Sequence, residues 1–195
     1  MVYRQIRLLP NLKRYILAYF FFNAGVQAVM YLASLFGAKE LNLETASLII
    51  IVLVIQLVAI GGAYLFAELS KRSGNITSLV VMISIWIGVC VFAFFVQNEI
   101  QFYGLAILVG LIMGGIQALS RSTYSKLIPE NTEDHASFFS FYNVTFNLSI
   151  VMGTLAYGSI ELITGSMRYS ALGLSLFFII GLFLVRIVKV EPAQS

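Results

Sequence analysis

Six carboxamides lie within otherwise apolar stretches of this chain: Asn23, Gln27, Gln56, Gln117, Asn143 and Asn147. A neutral amide offers hydrogen-bond donors and an acceptor but no charge. Its chemistry is therefore recognition of a solute, or of another helix, without proton transfer or nucleophilic attack. Hydrolysis within a membrane would need paired aspartates, a serine with a base or a histidine-rich metal site. The single His135 and single Asp134 are neighbours in one polar link, with no partner at metal-ligand spacing. No catalytic residue, metal or cofactor is expected, and the chain does not read as an enzyme.

Spacing groups the polar residues. Asn23, Gln27, Tyr31 and Ser34 recur every three or four positions, which places them on one helical face. Asn143, Asn147, Thr154 and Glu161 form a second such stripe. Two stripes facing each other would line a hydrated path for a zwitterionic or polyol solute. Alternatively they hydrogen-bond across the bundle, at only about 0.6 kcal/mol per contact. Sequons begin at Asn75, Asn143 and Asn147, but all three fall within the membrane or on the expected cytoplasmic side, so glycosylation is not expected.

The elements that position these groups are six runs without a charged residue, at 15–38, 45–67, 73–98, 100–120, 136–160 and 169–185. A helix needs roughly 17 to 25 residues to cross the hydrocarbon, so each run predicts a span. Hydrophobic residues make up 59% of the chain and charged ones 11%, far below the roughly one quarter of a soluble domain. The first run is too long for a signal-peptide core and is followed by five more, so it reads as structure. Cys90, alone inside the third run, builds no disulfide framework and reads as a small buried apolar residue. The expected class is all-α, a polytopic bundle of six transmembrane helices over 15–188, between an N-terminal segment 1–14 and a tail 189–195.

Basic residues orient the bundle, because Lys and Arg stay on the cytoplasmic side during insertion. Ten fall in the N-terminal segment, the links after the second and fourth runs, and the C-terminal end. Only Lys39 and Arg168 fall on the other side. Both termini are thus expected in the cytoplasm and the bundle in the plasma membrane, the inner membrane of a bacterium. Anionic headgroups account for the net charge of +3 without any nucleic acid. In the long link 121–135, Pro129 ends one helix, and Asn131 or Thr132 is expected to cap the next, with Glu133 and Asp134 near its positive end.

Amides occur in the first, second, fourth and fifth runs and are absent from the interiors of the third and sixth. This period of three predicts two three-helix units, with the third helix of each turned toward lipid. An odd number of crossings inverts the second unit, and inverted three-plus-three repeats are an architecture of secondary transporters. Glycines within the spans (Gly61 and Gly62; Gly110, Gly114 and Gly115; Gly153 and Gly158) predict close helix approach, with a gating hinge as the minority reading.

Several segments carry a resemblance: Gly114-Gly115-Ile116-Gln117-Ala118-Leu119-Ser120-Arg121-Ser122, Leu127-Ile128-Pro129, Phe139-Ser140-Phe141-Tyr142, Gly165-Ser166-Met167-Arg168 and Gly25-Val26-Gln27. In these the chain resembles the C-terminal half of a major facilitator superfamily transporter, in the branch similar to vacuolar effluxers. The link Ala67-Glu68-Leu69-Ser70-Lys71-Arg72-Ser73-Gly74 looks like that superfamily's cytoplasmic Gly-x-Leu-x-Asp-Arg-x-Gly signature. Arg72 and Gly74 match it, whereas Ala67 replaces the first glycine and Lys71 the acid. The resemblance implies that helices 1, 2, 4 and 5 are cavity and interface helices and that 3 and 6 are peripheral. Relatives tend to carry an acid where this chain has Ala24, and charges where it has Asn143, Phe146 and Asn147. Facilitated or weakly coupled movement is therefore implied over strict proton coupling.

The expected function is one half of a transporter that moves a small polar solute, with an amino acid as one candidate, by alternating access. Asn23, Gln27, Tyr31, Gln56, Gln117, Asn143 and Asn147 are the expected solute contacts, and Arg72, Gly74 and Arg121 the switching residues. Expected partners are membrane lipid, the solute, and an N-terminal six-helix half or a second copy of the chain. The chain then reads as a fragment, one half of a split pair, a homodimer subunit or an engineered piece. The rival expectation is a noncatalytic membrane scaffold or an isolated folding module.

Overall fold

The computed structural model describes residues 6, 8–129, 132 and 134–189. They form six long helices: α1 (Pro10–Leu41), α2 (Thr45–Ser73), α3 (Asn75–Phe95), α4 (Glu99–Leu127), α5 (His135–Thr164) and α6 (Met167–Arg186). All six have membrane-spanning length and apolarity, and the described residues contain no strand. In hydrocarbon every backbone N–H and C=O must be paired within its own segment, which leaves the helix as the form for each isolated apolar run. At about 1.5 Å per residue the 32 residues of α1 exceed the roughly 30 Å of a bilayer core, so this helix projects beyond it.

The connections are short. Pro10 starts α1, where a missing N–H costs nothing, and Asn42 ends it in the left-handed conformation at φ 52°. One residue, Gly74, separates α2 from α3 at φ +82°, and Gly165 closes α5 at φ +71°. Any other L residue would be strained at either turn. Ahead of α5 the cap is Asp134, whose side chain accepts from the Ser137 N–H, and not Thr132. Asp134 lies nearer the first helical turn, within reach of the orphan amides. Asn131 and Glu133 lie outside the described residues, as do 1–5 and most of the tail 189–195.

The two three-helix units exchange partners. The second helix of each packs on the first helix of the other, α2 on α4 and α5 on α1, while α3 and α6 pack together between them. Glycine makes both crossings close. A Cβ on Gly62 would lie 1.9 Å from the Leu111 carbonyl oxygen, and one on Gly114 would lie 2.0 Å from that of Ala59. At the related crossing a Cβ on Gly153 would lie 2.1 Å from the Ala24 oxygen. Gly61 and Gly158 face open space, so only part of the glycine set is used for approach.

Helices α3 and α6 pack on each other, with Trp86 stacked on Phe178 at 5.3 Å, and each keeps an exposed apolar face, Val91 and Phe92 on α3 and Leu176 and Phe183 on α6. Their most apolar stretches are 44% and 33% buried, against 17% for both α2 and α5. The reason lies in the exchange of partners. Helix α2 leans chiefly on α4, and α5 on α1 and α6, which leaves much of each circumference bare, including Ile49, Leu53, Leu57 and Tyr64 on α2 and Leu148, Leu155 and Leu162 on α5.

The two ends are fastened differently. At the end bearing Lys39 and Arg168, Glu40 accepts from the Met167 N–H at 2.6 Å, the Ser166 hydroxyl at 3.0 Å and Arg168 Nε at 3.1 Å. Arg168 Nη1 then donates to the carbonyls of Phe94 and Val96. One half-buried ion pair thereby joins the ends of α1 and α3 to the start of α6. Lys39 adds an exposed pair with Glu161 on α5 at 3.0 Å.

Candidate solute cavity

A cavity of about 600 Å³ opens between α1, α4 and α5, toward the end of the bundle that carries Arg121. It exists because α4 and α5 barely touch and both lean on other helices, α4 on α2 and α5 on α1. Tyr19, Asn23 and Val26 line it from α1, Gln117, Arg121, Ser122 and Ser125 from α4, and Tyr142, Asn143 and Phe146 from α5. Arg121 is the one charged residue among the described lining.

The seven expected solute contacts separate into three groups. Gln117 and Asn143 reach the cavity with exposed side chains, free to meet a solute. Asn23 and Gln27 are buried, at 4% and 5% exposure, and already engaged. The Gln27 amide donates to Asn23 Oδ1 at 3.2 Å, Asn23 donates to Ser149 on α5, and Ser149 donates to the Phe146 carbonyl. This relay fastens α1 to α5 and shows only Asn23 to the cavity. Tyr31, Gln56 and Asn147 are exposed and lie outside the lining. The two stripes consequently do not face each other. On the second stripe Thr154 donates to the Ile150 carbonyl of its own helix and Glu161 pairs with Lys39, so Asn143 alone serves the cavity.

The expected switching residues also part company. Arg72 and Lys71 both pair with Glu68 on their own helix, at 3.3 and 3.2 Å, with exposed side chains. Gly74 serves as the positive-φ turn into α3. The link from this turn to α4 is made instead by Asn75, which is buried at 8% exposure. It donates to Thr123 Oγ1 at 3.1 Å and accepts from the Ser70 hydroxyl at 2.7 Å and Lys126 Nζ at 3.2 Å. Arg121 lies in the cavity, with its guanidinium 5.9 Å from the ring centre of Tyr142.

Sequence reasoning missed the tyrosines around Arg121. Tyr19 stacks on Tyr142 at 4.4 Å, and Tyr124 meets the same ring at 4.9 Å. Tyr15 donates to the Ser120 carbonyl and Tyr124 to that of Phe138, both at 2.7 Å, so α1, α4 and α5 are tied where the cavity ends. Tyrosine counts as apolar in a hydropathy scan, although its hydroxyl seeks a partner when buried. The available signal was the clustering of Tyr15, Tyr19, Tyr124 and Tyr142 near the same end of three predicted helices.

Known proteins place this arrangement. The fold is similar to that of the fucose:proton symporter FucP of E. coli, at a TM-score of 0.79 and 15% identity, covering 96% of this chain and 45% of the symporter. At that identity the likeness concerns the fold alone. The MFS-type transporter YxiO of Bacillus subtilis is 35% identical over 98% of this chain and 44% of its own length. Autophagy-related protein 22 of Cryptococcus neoformans (strain JEC21) is 28% identical over 98% of the chain and 36% of that protein. The chain thus spans less than half the length of these relatives. The family model described as vacuole effluxer Atg22 like matches residues 1–195. The chain belongs to the Atg22-like vacuole effluxer family, and its six membrane helices correspond to half of a major facilitator superfamily transporter.

Proposed function

We propose that the chain forms the C-terminal half of an alternating-access transporter for a small polar solute, with an amino acid among the candidates. The observation that carries this reading is the cavity between α1, α4 and α5, which combines free polar side chains from two helices with a third helix anchored behind them. Gln117 and Asn143 contact the solute directly. Asn23 contributes from behind them, and Gln27 positions Asn23. An N-terminal six-helix half, or a second copy of the chain, covers the open side and the bare faces of α2 and α5. The end with Arg72, Arg121 and Lys126 faces the cytoplasm, as do the segments 1–14 and 189–195 that flank the bundle, and a bacterial inner membrane is the setting. Arg72 and Gly74 act at the turn between α2 and α3 during switching.

The test is solute counterflow in proteoliposomes that hold the chain within its complete two-half assembly. Gln117→Ala with Asn143→Ala is expected to cut flux by about tenfold or more, as loss of two hydrogen bonds to solute would, while leaving folded yield unchanged. Undiminished flux in that variant would remove the cavity from the transport path.

A further inference from the structure

We propose that the cavity takes a solute bearing an oxyanion, a carboxylate or a phosphate, and that Arg121 is the residue that holds it. This rests on the transport reading above and adds the charge of the substrate. Three observations carry it. Arg121 is the one charge among the described lining residues, and the groups around it are neutral: Gln117, Ser122, Ser125 and Asn143. Its guanidinium rests near the face of Tyr142, 5.9 Å from the ring centre, at the outer limit of a cation–π contact. Tyr142 is itself in ring contact with both Tyr19 and Tyr124, which fixes the ring that receives the cation.

Among the described residues the Tyr142 ring is the partner of this arginine, and no acid pairs with it. A guanidinium presents five N–H donors in a planar fork suited to two oxygens of one anion, and a tyrosine face engages none of them in line. An oxyanion entering the cavity would pair with that fork, while Ser122, Gln117 and Asn143 lie along the same walls to receive the rest of the solute. A cationic solute would meet the like charge of Arg121, which disfavours it. Arg121 is thereby a specificity-determining residue, a role that differs from the switching role expected of it.

The experiment uses the purified chain in lipid nanodiscs and phenylglyoxal, which labels accessible arginines, with the site of labelling read by mass spectrometry. The probes are succinate, inorganic phosphate and succinamide, the last being succinate's neutral counterpart. Saturating succinate or phosphate is expected to slow labelling of Arg121 by about tenfold, the size of one charge-assisted contact, and to leave Arg72 and Arg186 unchanged. Succinamide is expected to leave Arg121 exposed to the reagent. Tyr142→Ala, which removes the competing ring, is expected to label faster in the absence of probe and to keep succinate protection.

Equal protection by succinamide, or none by either anion, would overturn the assignment. Equally slow labelling in phosphatidylglycerol nanodiscs without probe, relative to detergent, would assign the oxyanion to a lipid headgroup and overturn the solute reading. A separate arm keeps failure of transport distinct. Arg121→Gln in the two-half assembly is expected to lose preference for succinate over succinamide by about tenfold while still carrying succinamide. Wild-type flux of both probes at one rate would leave transport standing and sink the charge assignment, whereas no flux of either would sink the transport reading itself.

Discussion

A single methyl group added by Gly62→Ala is expected to destabilise the bundle by about 3 kcal/mol, whereas Gly61→Ala, one residue away, is expected to be neutral or to stabilise it slightly. The difference lies in what each Cβ would meet. At Gly62 it would sit 1.9 Å from the Leu111 carbonyl oxygen, which belongs to a backbone that cannot turn aside, so α2 and α4 must separate along their contact. At Gly61 nothing lies within 4 Å. Separation would also strip Gly110 and Gly114 of their close approach to Ile55 and Ala59, so the cost spreads over several turns. Packing at this depth relies on dispersion between close backbones, since lipid tails are as apolar as the side chains and supply no hydrophobic drive. Unfolding by sodium dodecyl sulfate in mixed micelles, followed by circular dichroism, would read both variants. Matching midpoints for the two would show that the α2–α4 crossing can widen freely.

Arg168→Gln is expected to cost a comparable amount, about 3 kcal/mol, by a different mechanism. Arg168 is the sole link in one node between the Glu40 carboxylate and the carbonyls of Phe94 and Val96. Removing its charge leaves Glu40 half-buried with its remaining donors only, and leaves two C-terminal carbonyls of α3 without that partner. Lys39→Gln makes the contrast, because the Lys39–Glu161 pair has a lysine side chain 55% exposed and is expected to matter by less than about 1 kcal/mol. Arg168→Lys is expected to recover only part of the loss, since one ammonium cannot span the carboxylate and both carbonyls as a planar fork does. The same denaturation measurement reads all three. Identical losses for Lys39→Gln and Arg168→Gln would mean that the node adds nothing beyond a surface ion pair.

How far the sequence could be read differs between fold and cavity. The spans followed from charge-free runs, and every helix contains most of its run, with ends up to seven residues away and set by local caps and breakers such as Pro10, Gly74 and Gly165. Inverted three-helix units followed from the period of the amides, and the exchange of α2 and α5 between units bears out that symmetry. The packing of α3 on α6 was not legible there. An absence of amides marks a helix as apolar, and an apolar helix suits the middle of a bundle as well as its rim, as Trp86 against Phe178 shows.

Within the cavity the reading was partial for a related reason. Periodicity puts Asn23 and Gln27 on one face of α1, but it does not say which neighbour that face meets. The neighbour is Ser149 on α5, a residue too common in helices to stand out. Arg121 read as a topological charge and a switching residue at the cytoplasmic end, since charge near a span end ordinarily sets orientation. Asn75 read as a sequon, and its links to Ser70, Thr123 and Lys126 depend on residues up to 51 positions away.

The chain by itself determined that six helices cross a membrane, because hydrocarbon offers an unpaired backbone no alternative, and it determined which polar groups are available there. Tertiary structure alone decided which of those groups remain free. Each helix has one rotation about its axis, set by the neighbours it packs against, and that rotation turned Asn23 and Gln27 inward to fasten α1 to α5. It left Gln117, Asn143 and Arg121 on the walls of a shared cavity.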